Sequence, residues 1–227
     1  MSLALDILNR FLVSAQRRVQ GIPRGAAHIY DRVASRYLEP SYEYVVSEAA
    51  ARSPAIVVDV GCGPGKLLLS LARGGMGELL VGLDISRAMA SIARTNAVRN
   101  SLYHYTSFVV ADAHYMPVRR ESIDLILSTG TLHHIRDPEK VFRELTYSLR
   151  SDGEAWVYEF SHDAPWRDFK VTAKRLEKPA LLIKFAAAMH GLPRKYFERG
   201  YIVRHLRRAG VQYKLSYDGC MTKLILK

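Results

Sequence analysis

Apolar residues in this chain fall into short β-branched runs separated by longer stretches with helical spacing, and their order predicts the architecture. "AIVVDV", "GELLVGLD", "TSFVVAD", "SIDLILST" and "GEAWVYEF" read as five successive strands. The first is continuously apolar rather than alternating, the pattern of a strand buried on both faces. A helix is expected from Lys66, and another from Pro138, where Asp137 offers an N-cap and proline suits the first turn. "FERGYIVRHLRRAG" is a further helix with Gly210 as its stop, and the segments flanking Gly219 form a terminal hairpin. Strands alternating with helices, closed by a hairpin, predict an α/β fold with a doubly wound, mostly parallel sheet of seven strands.

Two segments lie outside that alternation. The first 20 residues are amphipathic, with Ile7, Leu8, Phe11, Leu12 and Ala15 on neighbouring turns, which suggests a helix packed on the body. Its basic residues follow the apolar part, the wrong order for a secretory signal. The other segment, Ser161 to Glu198, is inserted before the last helix. Four parts are expected: an N-terminal helical lid over 1–53, a ligand-binding core over 54–160, a helical cap over 161–198, and a helix and hairpin over 199–227 that complete the core.

The glycines of "IVVDVGCGPGK" raise the first chemical question. Gly61, Gly63 and Gly65 permit positive φ and leave no Cβ to block a ligand. A phosphate-binding loop would need GxxxxGK[ST], but Val60 and Leu67 occupy its first-glycine and hydroxyl positions. A dinucleotide fingerprint would need a third glycine where Lys66 stands. What remains is an acid followed by GxGxG, beginning at Asp59.

That pattern resembles the first cofactor motif of class I S-adenosylmethionine (SAM)-dependent methyltransferases, specifically the type 11 and quinone-biosynthesis groups. The resemblance is strong from Ile56 to Phe160 and loose from Phe197 onward. It implies a Rossmann-like sheet with the seventh strand inserted antiparallel between the fifth and sixth, SAM as cofactor and S-adenosylhomocysteine (SAH) as product. SAM carries an ammonium and a sulfonium, so a carboxylate at Asp59 can attract its amino-acid end while the amides around Gly61, Cys62, Gly63 and Gly65 take its carboxylate. Asp84, nineteen residues after Gly65, stands where an acid accepts ribose hydroxyls. Ile85 and Met89 could sandwich the adenine, Asp112 and Ala113 could hydrogen-bond its edge, and Ser128 lies near the methionine end. Tyr30 and Tyr37 fall in a segment resembling the "FDxxAxxYD" lead-in of small-molecule methyltransferases, where an aromatic lid covers the cofactor. Asp124, at the far end of its strand, reads as structural.

Candidate general bases are His133 and His134, of which at most one can face the substrate, and Glu159 and His162 at the carboxyl end of the fifth strand. No metal-ligand spacing occurs. The two cysteines, Cys62 and Cys220, suggest neither a metal site nor a disulfide framework, and the cytoplasm is the plain reading.

Charge bears on the acceptor. The formal net charge is +11, and the segment from Ser161 to Gly210 holds twelve Lys and Arg against four Asp and Glu. Lys170, Lys174, Arg175 and Lys178 interleave with Trp166 and Phe169, a texture suited to RNA. "ALLIKFAAAM", apolar nearly all round, suits a lipophilic acceptor whose pocket Leu182, Phe185 and Met189 would line, with peripheral membrane contact. "YEFS" resembles the "LEFS" of quinone-biosynthesis C-methyltransferases, and the His133–His134 block resembles wobble-uridine tRNA methyltransferases. A small or lipophilic acceptor is favoured, with RNA as the alternative; a protein acceptor or a non-catalytic SAM-binding role is less favoured. The sequence leaves oligomeric state open.

Overall fold

The computed structural model describes residues 2–21, 25, 31 and 35–227. Continuous apolar runs become strands covered on both faces. β1 (Ile56–Val60), β2 (Leu79–Asp84), β3 (Thr106–Val110), β4 (Ile123–Thr129) and β5 (Leu149–Phe160) are parallel. β6 (Tyr213–Asp218) and β7 (Met221–Leu226) form the terminal hairpin. The sheet order is β3-β2-β1-β4-β5-β7-β6, with β7 antiparallel to β5, as the resemblance implied.

Side chains alternate across the sheet with period two. Val58, Val60 and Ile126 pack with α5 (Pro138–Ser148) and α9 (Tyr201–Ala209) on one face. Val57, Leu125, Leu127 and Trp156 pack on the other with α2 (Ser35–Ala50), α3 (Lys66–Arg73) and α4 (Arg87–Arg99). Helix ends follow local chemistry. Asp137 accepts a hydrogen bond from the Lys140 amide at 3.2 Å with Pro138 in the first turn, and Gly210 ends α9 at φ 70°. Asp124 accepts from the Ala55 and Ile56 amides at 3.1 and 2.7 Å and pairs with Arg150, tying the amino end of β1 to β4 and β5.

Two expectations are corrected. Asp152 and Gly153, ahead of the fifth apolar run, read from sequence as a turn, but both lie inside β5, across a register irregularity opposite Ile123 and Leu125. A Cβ at Gly153 would come within 2.7 Å of the Ile123 carbonyl oxygen, so glycine permits this close approach. α1 (Ser2–Val19) does pack on the body, but through Asn9, Val13 and Gln16; Ile7 and Phe11 stay 61% and 70% exposed. Asn9 donates to the carbonyls of Ala188 and Gly191, so specific polar contacts, not the apolar stripe, set the docked face.

The inserted segment forms α6 (Trp166–Leu176), α7 (Ala180–Met189) and α8 (Arg194–Glu198). α7 buries Ile183, Ala187 and Ala188 and turns Leu182 and Phe185 outward, 58% and 55% exposed. The hydroxyl of Thr172 on α6 accepts from the Cys220 amide, and Arg175 pairs with Asp218, so α6 is stitched to the terminal hairpin.

Candidate active site

In a parallel sheet the carboxyl strand ends open into a crevice where the connections diverge. Here the crevice is a cleft at the ends of β1, β2, β3 and β4. Asp59, Gly61, Cys62 and Gly63 border it from β1, with Asp84, Ile85 and Met89 from β2 and α4, and Asp112 and Ala113 from β3. Thr129, Gly130, Thr131, His134 and Ile135 close it on the β4 side, and Gln20, Gly21 and Tyr42 complete the wall.

The three glycines differ in role. All three have positive φ, which glycine tolerates best. A Cβ at Gly61 would strike Thr131, and one at Gly65 would lie 2.8 Å from the Phe108 ring, so those positions serve packing. A Cβ at Gly63 meets nothing within 4 Å and would occupy the cleft. Gly65 itself does not border the cleft; it begins α3 in the left-handed conformation.

The loop amides are not available as anticipated. Gly61 and Cys62 donate to the Leu83 carbonyl at 2.8 and 3.0 Å, Gly63 donates to Asp84 Oδ2 at 2.8 Å, and Gly65 donates to the Cys62 carbonyl at 2.9 Å. The loop therefore spends these amides on holding its own shape. Its contribution to the cleft is space, beside the carboxyls of Asp59 and Asp84.

The two carboxyls differ in their surroundings. Asp59 is 1% exposed, and its Oδ1 has no hydrogen-bond partner among the described residues. Burial, reinforced by the nearby Asp84 charge, pushes its carboxyl up to about 8. A buried, unpartnered carboxyl beside a second acid is the arrangement a bound cation relieves. Asp84 accepts one amide on each oxygen, from Gly63 and from Ser86 at 2.7 Å, which leaves further lone pairs for hydroxyl donors. Its carboxyl is raised by burial against the lowering effect of those two bonds. Asp112 takes the His114 amide and the His114 Nδ1 on the same oxygen. Since His114 Nε2 accepts from the Asp137 amide at 3.3 Å, the ring carries its proton on Nδ1. Burial raises the Asp112 carboxyl, but the His114 contacts and Lys140 bring it below the ordinary carboxylate value.

Ser128 is turned away from the cleft. Its buried hydroxyl donates to the Val60 carbonyl at 2.9 Å, joining β4 to β1, while Thr129 borders the cleft. Tyr30 lies outside the described residues. Tyr37 falls in α2, but its side chain does too; Tyr42, five residues on, supplies the aromatic wall. It belongs to the same tyrosine-rich segment, and only the helix placement singles it out.

The four candidate bases separate clearly. His133 and His134 sit on a 3₁₀ turn (Leu132–His134), with ring centroids 4.3 Å apart. His133 turns inward: its amide and Nδ1 both engage Glu159, the ring at 3.0 Å from Oε2. Glu159 is 1% exposed and borders no cleft, so it stands inside the core and out of reach of a substrate. His162 is likewise buried, its Nε2 2.7 Å from Asp6 Oδ1. Asp6 also pairs with Lys195, so this cluster fastens α1 to the segment before α9. Only His134 of the four borders the cleft. Burial, with the neighbouring His133 and His190 rings, pushes its imidazole down to about 3, so it is neutral at working pH. Among the described residues no group of three or more His, Cys, Asp or Glu could hold a metal ion, and no helix is long and apolar enough to cross a membrane.

Comparison with known proteins agrees with this geometry. Residues 58–157, from β1 through most of β5, match the family described as "Methyltransferase domain". The malonyl-[acyl-carrier protein] O-methyltransferase of Geobacter sulfurreducens is 29% identical over 204 residues, 86% of this chain and 70% of that protein. Other curated relatives are matched over about half their length or less, among them a ubiquinone biosynthesis O-methyltransferase of Haemophilus ducreyi, 30% identical, with 49% of this chain and 48% of that protein covered. A Methanococcus maripaludis protein assigned to the SAM-dependent methyltransferases shares the fold at TM-score 0.73 and 22% identity, covering 90% of this chain and 93% of that one. The acid-and-glycine strand ends, the seven-stranded order and these matches support a class I SAM-dependent methyltransferase.

Proposed function

We propose that this methyltransferase acts on a small-molecule acceptor, which enters between Tyr42, Thr131, His134 and Ile135. The observation that carries this reading is the composition of the cleft wall: among the described residues no lysine or arginine borders it. An RNA acceptor would need cations at the cleft mouth to hold phosphates. Lys170, Lys174 and Lys178 are exposed on and just after α6 and border no part of the cleft, and Arg175 is committed to Asp218. Relatives named for ubiquinone biosynthesis and for ajmaline also point to small acceptors, whereas the malonyl-[acyl-carrier protein] relative is named for an acyl group held on a carrier protein. The lipophilic pocket expected from α7 has no support, because Leu182 and Phe185 face outward.

In this reading Asp59 holds the ammonium, Asp84 the ribose hydroxyls and Asp112 with Ala113 the adenine edge, while Ile85 and Met89 flank the ring. SAM, when bound, brings a methyl group on a sulfonium that needs no further activation. The chain's own contribution is position, worth up to about 7–11 kcal/mol in well-oriented reactions. His134, kept neutral, adds no positive charge beside a sulfonium and can accept a hydrogen bond from the acceptor. Replacing His134 with alanine is expected to lower kcat/KM for the acceptor about 10- to 100-fold while SAH affinity stays within twofold, and the wild-type rate should show no break near pH 6.5 from this ring. A matching loss of SAH affinity would make His134 a cofactor contact instead.

Transfer of tritium from methyl-labelled SAM into fractionated extract tests the acceptor class. Label in the low-molecular-weight fraction is expected. Label confined to RNA, lost steeply as salt rises, would overturn the reading.

A further inference from the structure

A second hollow lies on the other side of the last turn of α1 from the cleft. Gln20 and Gly21 border the cleft, whereas Arg17 and Arg18 border the hollow. The 3₁₀ turn and its exit divide in the same way: His134 and Ile135 face the cleft and Arg136 the hollow. Arg10, Val13, Ser14, Tyr196 and Tyr201 complete the lining.

Four arginines thus converge on one concavity, with no Asp or Glu among its lining residues. Elsewhere in the chain arginine is commonly paired: Arg52, Arg143, Arg150, Arg175 and Arg194 each meet a carboxylate. Arg10, Arg17, Arg18 and Arg136 form no ion pair among the described residues. Arg17 lies over the Tyr201 ring, 4.2 Å from its centroid, and its Nε and Nη2 are shut from water without an acceptor among the described residues. Burial disfavours this guanidinium, Tyr201, Tyr196 and the Glu159 charge offset part of that cost, and an anion at Nε and Nη2 would complete the compensation. Arg136 makes the arrangement rigid: its guanidinium caps the carbonyls of Arg17 and Arg18 at the end of α1, fixing the turn that presents them.

We propose that this hollow binds a phosphoryl group carried by a small molecule. Planar guanidinium forks match phosphate oxygens two at a time, and a multiply charged group suits four cations better than a single carboxylate does. Tyr196 and Ser14 add hydroxyls at the same place, while the Tyr201 hydroxyl donates to the Arg136 carbonyl at 3.4 Å. A single concave site takes one such group; an RNA backbone would need a continuing track of cations. The phosphoryl group belongs either to the methyl acceptor, which then spans the wall between hollow and cleft, or to a separate effector. The first source rests on the small-molecule reading above, and the second does not.

Titration calorimetry with inorganic phosphate and pyrophosphate, at fixed ionic strength and without any acceptor, tests the site apart from that reading. Saturable pyrophosphate binding is expected in the wild type, at least tenfold weaker in Arg17→Gln, with SAH affinity within twofold. Because Arg17 is packed on Tyr201, a double variant, Arg10→Gln with Arg18→Gln, provides a second test on exposed residues that support no packing; a loss of similar size is expected. Absence of saturable binding, or wild-type strength in the double variant, would overturn the proposal. Treating the small-molecule fraction with phosphatase then separates the sources: loss of methyl incorporation assigns the phosphate to the acceptor, and retention assigns it to an effector.

Discussion

Replacing Gly63 with valine is expected to reduce SAH binding at least a hundredfold, to the detection limit of ordinary calorimetry, while the protein remains folded. Gly63 has φ 52°, so a β-branched residue pays a backbone cost of about 1–2 kcal/mol. In a domain of this size that lowers the melting temperature by only about 2–8 °C. The new side chain meets no protein atom, because a Cβ there has nothing within 4 Å. It projects into the cleft between the acids of β1 and β2, the proposed cofactor site. Gly63→Ala offers a graded control: a smaller intrusion, hence a smaller loss. Equal SAH affinity in wild type and valine variant would remove the cofactor from this loop.

The second large effect is expected at Asp84. Its alanine variant should bind SAH about 30- to 1000-fold more weakly, a loss of about 2–4 kcal/mol for a charged acceptor facing two hydroxyls. Part of that loss is indirect, since Asp84 also receives the Gly63 and Ser86 amides and so helps set the loop. A 2′-deoxyribose analogue separates the two contributions. Wild type should prefer the ribose form clearly, and Asp84→Ala should bind both forms almost equally. A variant that keeps the full wild-type preference would show that Asp84 only shapes the loop.

What the sequence made legible is local. The β-branched runs, the Asp137–Pro138 helix start and the Gly210 stop each depend on neighbours within a few residues. Asp59, Gly61, Gly63 and Asp84 are likewise marked by spacing within one β-α-β unit, and the structure gathers them at one cleft. What was hidden depends on partners distant in the chain. Gly65 looked like its neighbours until Phe108 was seen beside it. Glu159 and His162 looked available because each lies at the end of a strand. One is occupied by His133, 26 residues away, and the other by Asp6, 156 residues away. The face on which α1 packs was misjudged because hydrophobic spacing cannot register that Asn9 reaches the carbonyls of Ala188 and Gly191. The arginine hollow draws on α1, the 3₁₀ exit and α8–α9, and no single segment announces it.

Asp59 is the proposed partner of the ligand's cationic end. Burial holds its carboxyl protonated below about pH 8 in the free protein. An ammonium placed beside it favours the ionised form, so binding must release that proton when the pH lies below 8 and release progressively less above it. Calorimetry of SAH binding at pH 6.5, in two buffers of different ionisation enthalpy, measures this directly. The prediction is one SAH per chain with release approaching one proton, falling away above pH 8 and absent in Asp59→Asn. Binding with no proton release, or with the same release in Asp59→Asn, would contradict it.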